Sequence, residues 1–396
     1  TNDPFNPAQV KIYAYQVELK EGINGVLDAT ISADKSYLEI EDKLKLPLGN
    51  RKFQFGKNGI LKRWTLGIDG YDRDGLFIGR QFKPIELGEN FKLSLQPQYL
   101  IQRSISGKTD AYPLEGESVN SEKVSTNTSL EDLFGLEAKL QGKIYNWDSI
   151  FDAKITTFNR KRFANGSRYS ASLKRKFDFK HIKELSLNAF GSYRYNVFNG
   201  SIGRSDIYTS YGINIDKSGS WQSDKTSFKY NFGVGLGNYQ AERLRSIDLI
   251  SSWRASVFSS LNIRHSLLSF GSGKTTSAYY ISPYSPKELT PGIYLKSDIS
   301  ARYFAYKDDD YQSTFNVGLG PEIAFGKLQK KYFDYTKFSI VPSATIKSGD
   351  SPFKFDNAND LFTLKLGLTQ QLIGPLIVKH IEELNIDSSS SNYGNS

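Results

Sequence analysis

The residues with the most evident chemical potential are three histidines and one glycine-rich string. His181, His265 and His380 are the only histidines and lie far apart in the sequence, so they predict neither a metal site nor a catalytic pair. The string Gly271–Thr275 ends like a phosphate-binding loop, whose backbone N–H groups cradle phosphates at the start of a helix. Its first glycine would fall at Leu268, and no strand-to-helix pattern follows. We therefore expect no nucleotide site here.

Other patterns that could serve catalysis or metal binding have simpler explanations. The glycines of Gly233–Gly237 recur at every second residue, which places them on one face of a strand. Asp308, Asp309 and Asp310 could bind a cation, but an acidic hairpin tip is the commoner explanation. No Gly-x-Ser-x-Gly nucleophile elbow stands out, and the chain has no cysteine. We therefore expect no enzyme activity, no cofactor and no metal site.

The composition limits the classes of protein that fit. The 396 residues include 51 Lys and Arg against 42 Asp and Glu, a net charge of +9. The basic residues are spread along the chain, which argues against nucleic-acid binding. A membrane helix needs about 20 mostly apolar residues in a row, and the closest run, Leu372–Val378, is short and contains Gly374 and Pro375.

Alternation of apolar and polar residues is the dominant signal, and it is typical of β-strands. It is clear in Phe91–Tyr99, Phe134–Ile144, Phe228–Leu236, Phe315–Leu319 and Phe362–Leu368. One face of these segments carries Leu, Phe and Val, and the other carries Lys, Gln, Asn and Gly. A soluble β-sandwich would also alternate, but its strands usually have about 5 to 6 residues. Several segments here reach the roughly 9 to 11 residues that cross a bilayer when tilted. We predict an all-β fold with a large antiparallel transmembrane β-barrel.

The pattern also divides the chain. Residues 1–58 alternate less regularly and predict a small β-domain, residues 59–386 form the barrel, and residues 387–396 form a disordered, Ser/Asn-rich tail. Ser104–Asp132 predicts a long loop, and Ala241–Phe270 is interpreted as strand because its Ser, β-branched and aromatic content disfavours a helix. Outer-membrane barrels commonly finish with a strand ending in an aromatic residue. Asn392–Ser396 is no such strand, so we expect that the chain stops before the barrel closes.

Several motifs resemble one family of outer-membrane proteins. These are Asn2–Ala8, Leu46–Leu48, Asp72–Arg80, Lys83–Ile85, Phe91–Tyr99, Phe333–Thr336 and Gly367–Leu376. They resemble the lipopolysaccharide-assembly barrel LptD in its cyanobacterial branch. The resemblance implies that residues 1–58 are the C-terminal part of a periplasmic β-jellyroll. It also implies outer-membrane localisation, and passage of lipopolysaccharide from a periplasmic bridge through the barrel lumen and a lateral seam to the outer leaflet.

The resemblance also implies site residues and partners. Pro97 matches the family's proline on the second barrel strand, and Pro84 is displaced toward the turn from the position expected on the first strand. Both would weaken the seam, because proline donates no ladder hydrogen bond. Arg80, Lys92 and Arg103 would contact anionic groups of lipopolysaccharide in the lumen. The implied partners are lipopolysaccharide or a related glycolipid, outer-membrane lipids, periplasmic bridge proteins and a lipoprotein plug.

Two other functions stay open at this point. A passive porin for small solutes would use the same barrel without the jellyroll. An outer-membrane phospholipase would need a paired nucleophile and base. A jellyroll on the amino side of the barrel favours the transporter over the porin, and a lumen without such a pair argues against the phospholipase.

Overall fold

The computed structural model describes most of the chain. The described residues are 10–22, 25–40, 44–47, 51–54, 63–113, 116–118, 120–179, 184–270, 290–307, 309–326, 332–373, 376–390 and 393–394. The chain divides into two compact units. The first comprises Thr1–Thr65 and Tyr280–Lys287, and the second comprises Leu66–Tyr279 and Glu288–Ser396.

The first unit contains a small antiparallel sheet. Its strands are β1 (Val10–Gly22), β2 (Gly25–Ile40), β3 (Leu44–Pro47) and β4 (Arg51–Gln54). β1 pairs with β2, and β2 also pairs with β3 and β4. The small β-domain expected in residues 1–58 thus contains strands, while its interpretation as part of a jellyroll stays a prediction.

The remaining strands follow one another along the chain, and those from β11 onward have 9 to 21 residues. They are β5 (Trp64–Asp69), β6 (Gly75–Arg80), β7 (Ile85–Leu87), β8 (Phe91–Tyr99), β9 (Lys108–Thr109), β10 (Thr126–Asn127), β11 (Phe134–Ile144), β12 (Trp147–Ile155), β13 (Ser167–Phe177), β14 (Leu185–Phe198), β15 (Arg204–Ser223), β16 (Thr226–Glu242), β17 (Leu249–Ser269), β18 (Gly292–Tyr306), β19 (Tyr311–Phe325), β20 (Thr336–Gly349), β21 (Phe362–Ile373) and β22 (Leu376–Asn385). One short α-helix, α1 (Ile101–Ser106), and two 3₁₀ helices, Leu130–Leu133 and Gly200–Ile202, complete the described elements.

Among the described residues, one sheet of 16 strands dominates the fold. Its main path runs from β22 back through β11 in sequence order and then to β8, β6 and β5, with β7 paired to β8. The prediction of an all-β chain with a large antiparallel sheet is therefore confirmed. The interpretation of Ala241–Phe270 as strand is also confirmed for most of its length, because β17 covers Leu249–Ser269 and β16 ends at Glu242, with a turn at residues 243–248 between them.

The two faces of this sheet differ in composition. In the β16–β17 ladder, Val234 lies opposite Val257 on one face, while Gly235 lies opposite Ser256 on the other. Successive side chains of a strand point to opposite faces, so the pattern continues along each strand. Large apolar side chains are exposed on the first face, among them Phe232, Leu236, Val257, Phe315 and Leu319. The predicted separation into an apolar face and a polar face is confirmed.

The sheet is strongly curved. In a flat sheet β15 and β21 would be six strand spacings apart, about 29 Å at roughly 4.8 Å per spacing. Yet the Ser201 N–H, three residues before β15, donates a hydrogen bond to Asp360, two residues before β21, at 2.8 Å. Curvature must bring these strand ends together. The connection that holds Asp360 therefore lies on the concave face, which is the polar face.

Two segments differ from the sequence prediction. The stretch expected as the loop Ser104–Asp132 overlaps α1 and contains β9 and β10, which pair through Thr109 and Thr126. The Thr109 hydroxyl is also 2.9 Å from that of Thr128, just after β10. In the tail expected to be disordered, the Asp387 carboxylate accepts hydrogen bonds from the Ser389 N–H at 3.0 Å and hydroxyl at 2.6 Å. Residues 387–390 therefore form a turn, because aspartate caps such turns through its side chain. No helix among the described residues is long and apolar enough to cross a membrane.

Candidate functional site on the concave face

The predicted seam residues lie around β7 and β8. Pro84 is exposed in the irregular residues 81–84, just before β7. Pro97 is on β8 opposite Leu136, which places it on the apolar convex face. Both prolines thus lie close to the place where the partner of β8 changes from β6 to β7. Their role in a seam stays a prediction.

The predicted lumen cations lie in different environments. Arg80 ends β6 and is exposed. Lys92 lies on the polar face of β8, where its ammonium is 3.5 Å from Glu86 across the β7–β8 pair. Both side chains of that pair are more than half exposed, so the contact is weak. Arg80 and Lys92 are accessible, and their contact with a ligand stays a prediction.

Arg103 is not available to a ligand in the lumen, and its prediction as a contact residue was wrong. It lies on α1 with no exposed surface. Its Nε donates to Asp74 at 2.7 Å, and its Nη2 donates to the Tyr112 hydroxyl at 2.6 Å. Further bonds go to the carbonyls of Asp72, Asp132 and Thr156. The guanidinium therefore organises the segment after β8, because α1 turns the chain inward where the sequence predicted a plain loop.

The structure assembles charges that the sequence analysis did not single out. We call them the charged cluster: Asp69, Asp72, Arg73, Glu137, Lys154, Arg168, Arg194 and Asp206. They come from the β5–β6 turn and its flanks and from the concave face of β11 to β15. Strand register explains the assembly, because Glu137 lies opposite Lys154 and Lys154 opposite Arg168 on neighbouring strands. Opposite charges in such cross-strand positions attract.

Asp72 is the centre of this cluster. Its two carboxylate oxygens accept hydrogen bonds from Arg168, Nη2 at 2.8 Å and Nε at 2.9 Å, and one also accepts from the Lys154 ammonium at 2.9 Å. Burial alone would raise the pKa of Asp72, but the two cations outweigh it and hold the pKa well below its usual range. The turn thus carries a permanently charged carboxylate into the concave face.

Arg73 ties the same turn to β8 and β11. Its Nε donates to the Gln98 amide oxygen at 2.8 Å, and its Nη1 is 2.6 Å from Asp69. Its Nη2 pairs with Glu137. The guanidinium also lies 4.2 Å from the centre of the Phe77 ring. Arg73 is therefore a buried, multiply bonded anchor.

Arg194 and Asp206 form the far end of the cluster. Arg194 has a backbone φ of 52°, which is uncommon for a residue other than glycine. It interrupts the β14–β15 register, where Tyr193 pairs with Thr209 and Tyr195 with Ile207. Its Nε is 3.6 Å from Asp206, too far for a good hydrogen bond. The strained residue turns its guanidinium into the concave face beside Asp206.

A cavity of about 440 Å³ borders the cluster. Its walls come from β8, β11, β12, β13 and β14 and include Ser94, Gln96, Lys139, Asp152 and Asn196. All of the lining residues except Ala138 and Ala153 carry a hydroxyl, amide or charged group. Such a surface suits a polar, hydroxyl-rich or zwitterionic ligand better than an apolar one.

A second interior feature lies on the β20–β21 connection, residues 350–361, which we call the inward connection. Asp356 is buried there, 2.6 Å from Arg254 Nη1 and 3.1 Å from the Tyr306 hydroxyl, and it also bonds the Ser351 hydroxyl. Burial raises the pKa of Asp356 even though Arg254 opposes the shift. Phe353 and Phe355 pack beside it with Tyr239 and Tyr306. The inward connection therefore has its own small core.

Further anchors spread the inward connection across the concave face. The Lys354 ammonium is 3.2 Å from Glu242 of β16, and the Asn199 amide donates to the Lys354 carbonyl at 2.9 Å. The Gln312 amide of β19 donates to the Asp356 carbonyl at 3.0 Å. The segment before β11 also reaches this region, since the Asn120 amide donates to Glu242 at 2.9 Å. Two segments of the chain thus cross the interior at the same end of the sheet.

One hydroxyl–imidazole pair is present among the described residues. Thr226 Oγ1 and His265 Nδ1 are 2.7 Å apart across the β16–β17 ladder. A nucleophile and base would also need a group that orients the imidazole and donors for an oxyanion. The described contacts supply neither at His265. A cross-strand hydrogen bond explains the pair, and the expectation of no enzyme activity stays a prediction.

One feature of the sequence points to the charged cluster. Four of the six residues Asp69–Asp74 are charged, which is more than a simple hairpin turn requires. Of its partners, Glu137 lies on the predicted strand Phe134–Ile144, whereas Lys154 and Arg168 lie on no segment with clear alternation. Their proximity could not be predicted, because it depends on the register of five successive strands.

Comparison with known proteins adds the family. None of the curated proteins is similar to this chain in sequence. Among solved structures, the chain is similar to OmpT, an outer membrane protein of Vibrio cholerae folded in vitro, in its trimer form. The identity is 12%, the TM-score is 0.33, and the match covers 94% of this chain and 99% of that one. A family model described as "Protein of unknown function (DUF3769)" matches residues 1–395, and the chain therefore belongs to the DUF3769 family.

Proposed function

We propose that the chain transports and assembles lipopolysaccharide, or a related glycolipid, in the outer membrane. The cargo passes from a periplasmic bridge through the lumen of a barrel and leaves through a lateral seam to the outer leaflet. The observation that carries this proposal is the contrast between the two faces of the curved sheet. A polar concave face can hold a saccharide in water while the convex face meets hydrocarbon.

The convex face supports a location in a membrane. Its exposed side chains include Trp253 at 41%, Val257 at 43% and Leu319 at 52%. A soluble protein rarely exposes a continuous apolar surface of this extent, whereas the wall of a membrane barrel requires one. We propose the outer membrane as the location, because strands cross membranes only in closed barrels, whose bacterial forms occupy that membrane.

The polar concave face supports a hydrated cargo. In addition to the cavity at the charged cluster, a second cavity of about 480 Å³ is lined by β17 to β22 and the inward connection. Its lining is rich in hydroxyl and amide groups, including those of Ser260, Asn262, Asn316 and Thr345. Such groups exchange hydrogen bonds with sugar hydroxyls in both directions. The accessible Arg80 and Lys92 would contact anionic groups on the cargo.

The ends of the strand order support the seam. β5 and β22 bound the main path of the sheet, so the line where they would meet is the natural position for a lateral exit. Pro97 lies two strands from β5 on the convex face. Its missing N–H leaves one donor fewer in that part of the sheet. Periplasmic bridge proteins and a lipoprotein plug remain proposed partners of this barrel.

A passive porin is the second candidate, and the interior segments argue against it. The inward connection and the Asn120 segment are anchored across one end of the concave face by Arg254, Glu242 and Gln312. A porin needs a continuous aqueous channel. Segments held by buried ion pairs would obstruct such a channel. A lateral exit does not need an open channel at the end of the sheet that these segments cross.

Depletion of the protein separates the two functions. We expect surface lipopolysaccharide, stained on intact cells, to fall while uptake of small hydrophilic solutes stays unchanged. Re-expression of the chain should restore the staining. Surface lipopolysaccharide that holds steady while solute uptake falls would refute the transporter and support the porin.

A further inference from the structure

The β5–β6 hairpin is joined to the rest of the sheet by a very short ladder. β6 shares two register pairs with β8, Ile78 with Tyr99 and Gly79 with Gln98. The next ladder, between β8 and β11, runs without interruption from Phe134 opposite Tyr99 to Gly142 opposite Phe91. The other half of β8 pairs with β7 instead. The sheet is therefore weakest in backbone hydrogen bonds where β6 meets β8.

Residues 81–84 create this interruption. They are irregular and separate β6 from β7, and the Phe82 N–H donates to the Leu95 carbonyl at 2.8 Å. Pro84 lies in this stretch and has no N–H to donate. The chain thus crosses from one short ladder to another without a continuous strand beside β8.

Side-chain charges make up for the missing ladder. The turn between β5 and β6 contributes Asp72 and Arg73, and β5 ends at Asp69. These three residues bond Lys154, Arg168, Gln98 and Glu137 on β12, β13, β8 and β11. Asp72 and Arg168 are 14% and 12% exposed. Such shielded pairs are screened much less by salt than surface pairs.

We propose that the β5–β6 hairpin, Trp64–Arg80, opens from β8 as one two-stranded unit and that Asp72 with Arg168 and Lys154 is the latch that holds it closed. A hairpin that moves whole keeps its own ladder. The opening breaks two register pairs, the latch and the other bonds of the turn, namely those of Asp69 to Lys154, Arg73 to Gln98 and Glu137, and Asp74 to Arg103. Because β5 is the edge strand at the proposed lateral exit, displacement of the hairpin would widen that exit. The identity of the cargo that leaves through this opening rests on the proposed function, whereas the movement of the hairpin does not.

The latch can be tested with spin labels, because the chain has no native cysteine. One label is placed at Leu66→Cys on β5 and the other at Leu140→Cys on β11, in the full chain reconstituted in lipid vesicles. Leu66 is exposed, and Leu140 lies opposite Leu93 on the convex face. We expect one main distance between the labels in the parent. In Asp72→Asn we expect a longer distance whose population rises roughly tenfold, because Arg168 loses its ion pair to the turn and Lys154 keeps only the one to Asp69.

Two controls make the result specific. Asp148→Asn removes an exposed carboxylate 3.9 Å from Lys143 on the same sheet and should leave the distances unchanged. A disulfide between Ile78→Cys and Tyr99→Cys, formed before thioether-linked labels are attached at positions 66 and 140, should abolish the longer distance. If Asp72→Asn does not fold, Arg168→Gln takes its place, because it removes the guanidinium that holds both Asp72 oxygens while Lys154 still pairs with Asp72.

The outcomes are distinguishable from those for the proposed function. A folded latch variant whose label distances match the parent would overturn the latch. Lipopolysaccharide delivered normally by the chain locked at Ile78 and Tyr99 would also overturn the hairpin opening as an exit, while leaving the transporter intact. Hairpin movement in a chain whose depletion leaves surface lipopolysaccharide unchanged would overturn the transporter alone.

Discussion

Asp72 and Arg168 lie 96 residues apart in the sequence, yet the guanidinium of Arg168 holds both oxygens of the Asp72 carboxylate, at 2.8 and 2.9 Å. This fork geometry is the strongest form of an ion pair between side chains. It joins the first turn of the large sheet to a strand five places along the sheet order. The sheet must therefore curve far enough to bring these two side chains into contact.

The Asp72 latch should resist mild acid. Because its partners hold its pKa below the usual value of 3.8, its contribution to stability is fully present above that value and is lost as the pH falls through the lower value. Lys154 and Arg168 face it from the sheet, and Asp69 faces it from β5. We expect label distances across β6 and β8 to be constant from about pH 8 to about pH 5. A longer distance that appears already near pH 5 would contradict the assignment.

The two faces of β17 should respond differently to one arginine. Val257 lies on the convex face and Ser256, its neighbour, on the concave face. Arginine on a lipid-facing wall near the bilayer midplane costs about 2 to 4 kcal/mol, whereas lumen positions tolerate it. We expect Val257→Arg to lower the yield of folded protein in lipid vesicles and Ser256→Arg to leave it close to the parent. Equal yields would contradict a convex face that meets hydrocarbon.

The inward connection should obstruct the lumen through its buried ion pair. Asp356→Ala leaves Arg254 buried without its carboxylate, which costs about 3 to 5 kcal/mol. We expect that variant to release the connection and to show larger or more frequent current steps in planar bilayers than the parent. The control, Asp350→Ala in the same connection, removes a 55% exposed carboxylate and should behave like the parent. Parent and Asp356→Ala currents of the same size would show that the connection does not restrict the lumen.

Close strand approach at Gly320 should make that glycine essential. A Cβ there would fall against the Ile340 carbonyl oxygen and 2.8 Å from Val341 Cα. Gly191 on β14 has room, with the nearest atom, the Ser210 carbonyl oxygen, at 3.7 Å. We expect Gly320→Ala to lose about 1 to 3 kcal/mol of stability and Gly191→Ala almost none. Heat-dependent mobility on gels of the folded protein measures both, and equal stability of the two variants would contradict the close approach.

The sequence predicted the faces of the sheet because alternation depends only on neighbouring residues. Phe228–Leu236 was interpreted as one strand, and its apolar residues do share the convex face. The fold class therefore followed from the sequence, as did the strand nature of most of Ala241–Phe270.

Much less of the candidate site than of the fold could be predicted from the sequence. Arg103 was expected in the lumen because α1, a six-residue helix, has no signal of its own in a Ser-rich stretch. Asp72 was noted only within a family motif, since its partners Lys154 and Arg168 are set by strand register over a long separation in sequence. The inward connection was missed because Asp356 pairs with Arg254 only after the sheet has curved. Contacts of this kind depend on tertiary structure rather than on local pattern.

Photo-cross-linking in living cells tests the central claim most directly. A photoreactive amino acid replaces Asn262 on the concave face of β17 or, as the control, Leu261 on its convex face. The account predicts that position 262 captures lipopolysaccharide or a related glycolipid, while position 261 captures bulk membrane lipid. Captured membrane lipid at position 261 together with no glycolipid at position 262 or at its neighbour Ser260 would contradict a lumen that carries glycolipid.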